Sequence, residues 1–295
     1  MICRIGIQSG LCFAILLGCG LSGGCAAPNW RAERIAVVEG IRIPESLAID
    51  HKNGCVYVSN CEGDPAKSWE DDGDGFISRM TPEGKMLDKY WLKSKPGAIL
   101  NDPKGLAIFN GYLYICDNKR LVRAPLDRSS GPEELKLNST EIFCDPLTWG
   151  GSLYVGYGGP EKIIFKLTKD NSVSLLKGVE SINGLAGDDK QLYCVTWATH
   201  EIYQIDPAGK DEPVPFGLAD KFVNLDGIDV LSDGTFIISD FKANRIYTIS
   251  PNRKTVKLLT EVDTPADIIV DHQRSLLYVP SYKSQKITIY KLRKG

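Results

Sequence analysis

Glu45, Lys104, Asp145, Asn183, Asp226 and Ala266 each stand two positions before an apolar residue: Leu47, Leu106, Leu147, Leu185, Ile228 and Ile268. Four of the six, Glu45, Asp145, Asn183 and Asp226, carry side-chain oxygens, and three of these are formally anionic. Gathered at one centre, they suit a hard divalent cation, calcium first, which takes about six to eight oxygens including those of water. Carboxylates crowded without a cation would repel and raise one another's pKa. The plainer alternative is a hydrated polar channel mouth, with Lys104 offsetting part of the acid.

Only a repeat can bring such distant positions together. SLAIDHKNGCVYVSN, GLAIFNGYLYICD, LTWGGSLYVGY, GLAGDDKQLYCVT, GIDVLSDGTFIISD and DIIVDHQRSLLYVPS share one plan: a strand, a turn with Gly, Asp or Asn, then a second strand. The matched apolar positions lie 38 to 59 residues apart, the span of a four-stranded propeller blade. Third strands follow as GFISRMT, RLVRAPL, KIIFKLT, EIYQIDP, RIYTISP and KITIYKL, with apolar residues at alternate positions. The pattern predicts an all-β, six-bladed β-propeller over residues 26–295, in which first strands line the channel. The last repeat ends after its third strand, so the spare segment ERIAVVEG, Glu33 to Gly40, is expected to complete that blade and close the ring.

The motifs PES (Pro44 to Ser46), INGLAG (Ile182 to Gly187) and LDGIDVLSDG (Leu225 to Gly234) resemble the metal-binding blades of the senescence marker protein/gluconolactonase family, also called regucalcin-like. That resemblance implies a divalent metal held by a Glu of the first blade, Asn residues of the third and fourth and an Asp of the fifth, with lactone hydrolysis as the activity. Glu45, Asn183 and Asp226 match in kind and blade. The third blade departs: Cys144-Asp145-Pro146 stands where the family has Asn-Asp-Gly, making Asp145 a replacement ligand. Asn101-Asp102 has the right letters but sits in the second blade, three residues before Lys104, and is not equivalent. The resemblance further implies that Asp226 is the general base, and Lys104 would steady an oxyanion or anchor a carboxylate. A second resemblance, carried by PKGLAIFNGYLYICDNKRLVRAPLD and DGIDVLSDGTFIISDFKANRIYTISP, is to NHL-repeat propellers, which generally bind partners. It leaves open the alternative of a non-catalytic surface lipoprotein recognising a protein or glycan.

The long first blade holds SWEDDGDGFISRM, whose centre resembles an EF-hand calcium loop with Glu70, Asp72 and Asp74 in the first, third and fifth places. Thr81 occupies the place of the bidentate Glu and no helices flank the loop, so an Asp/Gly hairpin turn is favoured over a second calcium site. Trp69 in this loop either caps the mouth or packs without function. His51 and His272 fall in equivalent turns, and His200 falls on a rim. No nucleophile elbow, phosphate loop or zinc-protease helix occurs.

Residues 1–25 read as an export signal: Arg4, an apolar run from Leu11 to Leu17, then small residues and cysteines. Cys19 and Cys25 are the two candidates for lipidation, and an ordinary cleaved signal is the alternative. The expectation is an exported bacterial protein, periplasmic or on the outer membrane, monomeric, and touching the membrane only through its lipid. Five cysteines remain beyond the leader, and Cys55 and Cys61 would lie roughly 20 Å apart across an extended strand, too far to pair. Buried thiols are the expected outcome. A net charge of −2 without a basic run excludes a nucleic-acid footprint. A small-molecule substrate, a lactone or sugar derivative, is the expected partner.

Overall fold

The computed structural model describes residues 29–67, 69–93, 100–137 and 141–295. Cys19 and Cys25 lie outside them. The N-terminal strand β1 (Trp30–Val38) is followed by blade one, which comprises β2 (Pro44–Asp50), β3 (Cys55–Asn60), β4 (Phe76–Met80) and β5 (Met86–Lys93). Blade two is β6 (Pro103–Phe109), β7 (Tyr112–Asp117), β8 (Arg120–Pro125) and β9 (Glu133–Leu135). Blade three is β10 (Phe143–Trp149), β11 (Ser152–Tyr157), β12 (Ile163–Leu167) and β13 (Val173–Lys177). Blade four is β14 (Ile182–Gly187), β15 (Leu192–Thr196), β16 (Ile202–Ile205) and β17 (Val214–Pro215). Blade five is β18 (Leu225–Val230), β19 (Phe236–Asp240), β20 (Arg245–Ile249) and β21 (Val256–Glu261). Blade six is β22 (Ile269–Asp271), β23 (Leu276–Ser281) and β24 (Lys286–Lys294), with β1 as its outer strand.

The ring therefore closes through both ends of the chain, as the missing fourth strand required. β1 runs antiparallel to β24 from Trp30 opposite Lys294 to Val38 opposite Ile287, covering an edge that would otherwise be open. Tyr278 of blade six also donates its hydroxyl to Pro82 O of blade one at 2.8 Å.

Alternation along the strands places apolar side chains between neighbouring blades rather than inside any one of them. Tyr57, Ile77 and Trp91 of blade one pack with Leu106, Ile115 and Val122 of blade two, and Leu47, Val56 and Met80 pack with Leu276, Tyr278 and Ile289 across the closure. Cys55, Cys116 and Cys194 fill strand positions in these layers, and every described cysteine is a free thiol. Among the described residues only two single 3-10 turns are helical, and no helix is long and apolar enough to cross a membrane.

Candidate functional site

Two local devices aim the first strands at the channel. The last residue of the second strand pins the approach: Asn60 accepts the Arg42 N–H at 3.0 Å, Asp117 that of Asn101 at 2.9 Å, and Asp240 those of Val223 and Asn224 at 2.8 and 2.9 Å. The recurring Asn or Asp that ends VYVSN, LYICD and FIISD is this pin. The pairing then slips between Pro44 and Leu47, Pro103 and Leu106, Phe143 and Pro146, Ile182 and Leu185, and Leu225 and Ile228. A bulge of this kind interrupts alternation and re-aims side chains. Both bulge residues reach the mouth in blades two and three, Lys104 with Gly105 and Cys144 with Asp145, and one of the pair does so in each of the other blades.

Glu45, Lys104, Cys144, Asn183 and Asp226 occupy the first bulge position, and Ser46, Gly105, Asp145, Gly184 and Gly227 the second. Blade three corrects the sequence alignment by one residue. Pro146 faces Val155 as Leu47 faces Val58, so Cys144 corresponds to Glu45 and Asp145 to Ser46. In blade six the bridge of Pro265 to Ser281 sets Ala266 at the first position and Asp267 at the second.

The second position is tight because neighbouring first strands nearly touch there. A Cβ on Gly105 would lie 2.4 Å from Cys144 O, one on Gly184 2.5 Å from Asp226 O, and one on Gly227 2.4 Å from Ile268 N. These obstacles are backbone atoms, which cannot swing away. Gly227→Ala is expected to destabilise the protein by about 1–3 kcal/mol through overpacking, read from urea unfolding. An unchanged midpoint would contradict this packing.

Glu45, Lys104, Cys144, Asp145, Asn183, Asp226 and Asp267 all line one cavity of roughly 790 Å³ at the mouth. Asp226 and Asp145 are buried, and burial is the main reason both carboxyls are pushed well above the usual carboxylate range. Glu45 and Asp267 raise Asp226 further, while Asn183 and Lys104 oppose the rise. Asp267 raises Asp145 further, and the Leu185 N–H, held by Asp145 Oδ2 at 2.9 Å, opposes it. Asp267 is pushed up to about 7 by burial, against a hydrogen bond from the Ser46 hydroxyl at 2.6 Å. Glu45 is raised by burial, with Lys104 opposing, and its buried Oε2 has no hydrogen-bond partner among the described residues.

Lys104 is 3% exposed. It donates to Cys61 Sγ at 3.2 Å and lies 4.3 Å from the centre of the Trp69 ring. Burial works against its charge, but Cys61, Glu45 and Asp102 more than compensate, so its pKa ends above the ordinary lysine value. Trp69 thus does stand at the mouth, reaching it from the long loop of blade one. Burial and the neighbouring carboxylates push the Cys144 thiol up to about 12, which leaves it protonated near neutrality.

The donor set accords with a hard divalent cation: the carboxylates of Glu45 and Asp226, the amide of Asn183, and a buried carboxylate oxygen lacking a hydrogen-bond partner among the described residues. Among the described residues no three His, Cys, Asp or Glu side chains are grouped so as to hold a metal by themselves. A cation bound here would need the Asn183 amide oxygen and water besides these carboxylates.

The acidic loop of blade one is tied to blade two. Asp71 accepts from Asn101 Nδ2 at 2.7 Å and Asn118 Nδ2 at 3.1 Å, and Glu70 O accepts from Asn118 Nδ2 at 3.3 Å. Asp72 accepts the Asp74 N–H at 3.1 Å, as in a local turn. Asn101 and Asp102 flank this loop and do not line the mouth, and Asp102 is raised to about 6, mainly by burial. His51, His200 and His272 also lie off the cavity. His272 instead meets Asp229 at 3.2 Å.

No protein-family profile matches the chain, and no curated protein matches it. Solved structures do. The PQQ-bound aldose sugar dehydrogenase of Streptomyces coelicolor superposes with a TM-score of 0.70 at 15% identity, covering 91% of this chain and 100% of its own. A candidate gluconolactonase gives 0.64 at 16% identity over 90% and 93% of the two chains. Virginiamycin B lyase from Staphylococcus aureus gives 0.59 at 14% identity over 89% and 99%. At these identities the likeness establishes the six-bladed propeller fold.

Proposed function

We propose that this propeller is a divalent-metal-dependent hydrolase of lactones or esters, working at the channel mouth. The observation that carries the reading is the meeting of Glu45, Asn183 and Asp226, from blades one, four and five, in one cavity where Glu45 Oε2 is buried without a hydrogen-bond partner among the described residues. Those three residues would hold the cation, with Asp145 and Asp267 adding negative charge beside them. When bound, a divalent ion supplies Lewis-acid polarisation of a carbonyl and a lowered pKa for water.

The remaining work falls to the chain's own side chains. Asp226, which lines the mouth beside Asn183, is the carboxylate that takes the proton from the attacking water. Lys104 keeps its charge in a buried setting and donates to the oxygen on which negative charge develops. Trp69 over the lysine shields that charge from bulk water. Asn183 positions the Asp226 carboxylate beside it.

We further read the chain as exported and lipid-anchored through Cys19 or Cys25, placing this mouth before extracytoplasmic small molecules. A pH-stat assay over a panel of aldonolactones, alkyl lactones and aryl esters, with calcium, magnesium or a chelator, tests the hydrolase. Turnover that vanishes with the chelator and returns with metal is expected. Tight metal binding with no turnover across the panel would instead favour a face that binds a protein or glycan.

A further inference from the structure

Trp197, Phe241 and Tyr282 are each the first residue after the second strand, in blades four, five and six, and all three line the mouth. Each donates the same backbone hydrogen bond, to Ser181 O at 3.0 Å, Asn224 O at 2.8 Å and Thr264 O at 3.0 Å, so the three positions are equivalent. Their rings meet edge to face, with centroids 5.4 Å apart for Trp197 and Phe241 and 5.7 Å for Phe241 and Tyr282. In blades one to three the corresponding residues are Cys61, Asn118 and Gly158, none of them aromatic.

The mouth is therefore two-sided. Carboxylates and Lys104 gather at its floor, while three of the six blades present an aromatic arc, with Lys283 beside Tyr282 and Lys242 5.6 Å from the centre of the Trp197 ring. That arc gives up little free energy when an apolar group covers it and gains the burial of both surfaces. A polyhydroxylated ring placed there would lose water from hydroxyls that find few partners among these side chains.

We infer that the ligand of this mouth is amphipathic: a lactone or ester whose carbonyl end sits at Glu45, Asn183 and Asp226 and whose alkyl or aryl substituent lies along Trp197, Phe241 and Tyr282. As a substrate class this rests on the hydrolase reading; as a binding preference it does not.

The test uses non-hydrolysable lactams, so that binding is read without turnover. Calorimetry with calcium present would compare a γ-lactam bearing an eight-carbon chain, the unsubstituted γ-lactam and gluconolactam. The alkyl lactam is expected to bind at least about tenfold more tightly than the other two. Phe241→Ala and Trp197→Ala should remove that advantage without changing the affinity of the unsubstituted lactam, and Phe241→Leu should restore most of it. Gluconolactam binding as tightly as the alkyl lactam, an advantage that survives both alanine variants, or no binding of any lactam would overturn the inference. If the alkyl lactam binds as expected while no lactone is turned over, the hydrolase reading fails and the ligand preference stands.

Discussion

Asp226→Asn is expected to lower kcat by about 10²- to 10⁴-fold on whichever lactone or ester is turned over, while the metal-free protein becomes more stable at pH 8. Both effects have one cause. Asp226 is buried beside Glu45 and Asp267, and its carboxyl is pushed well above the usual range first by burial and then by these two neighbours. The amide keeps the shape and can still meet Asn183, but it carries no charge to desolvate and accepts no proton. A merely structural aspartate would give the opposite pairing, with activity and stability falling together. The checks are initial rates by pH-stat and thermal unfolding of wild type and variant in a chelator.

The second large effect is in pH. Glu45, Asp145, Asp226 and Asp267 all have folded-state pKa values above those of an unfolded chain, with Asp267 at about 7. The folded protein therefore binds more protons than the unfolded one between about pH 4 and pH 7. Stability from these groups is complete below the unfolded values and is lost as pH rises through the folded ones. Asp267 alone implies a fall in Tm on the order of 10 °C between pH 5 and pH 8 without metal. A bound divalent cation favours the ionised carboxylates and should reverse most of that fall, so the calcium-induced rise in Tm is expected to be larger at pH 8 than at pH 5. Scanning calorimetry at both values, with calcium and with chelator, reads it. A metal-free Tm that climbs from pH 5 to pH 8 would contradict the assigned directions.

The ring was legible because its signal is redundant. Each blade repeats the same strand-turn-strand pattern, and a final repeat lacking one strand pointed to the N-terminal segment that now pairs as β1. The mouth was legible in part, since Glu45, Lys104, Asn183 and Asp226 could be found by counting back from a repeated apolar residue. Counting fails where alternation fails. A bulge can turn either of two successive residues to the channel, so a period of two finds Ala266 and misses Asp267, which lines the mouth and accepts from Ser46. The same bulge shifted blade three by one residue and hid Cys144 behind Asp145. A usable signal was present in Lys104-Gly105, Asn183-Gly184 and Asp226-Gly227. Glycine marks the tight second position; where it gives way to Asp145 or Asp267 a carboxylate has entered the mouth, and at Ser46 a buried hydroxyl binds Asp267 instead. The aromatic arc was missed for another reason: its members follow second strands, and no motif links Trp197, Phe241 and Tyr282 except their place in the repeat.

The central claim is that side chains from three blades share one cation. Calorimetric titration of calcium into metal-free wild-type protein, Glu45→Gln, Asn183→Ala and Asp226→Asn at pH 8 tests it most directly. One tight site in the wild type, weakened at least about tenfold in each variant while the fold persists by circular dichroism, is the predicted result. Calcium binding equal in all four proteins, or absent from the wild type, would contradict it.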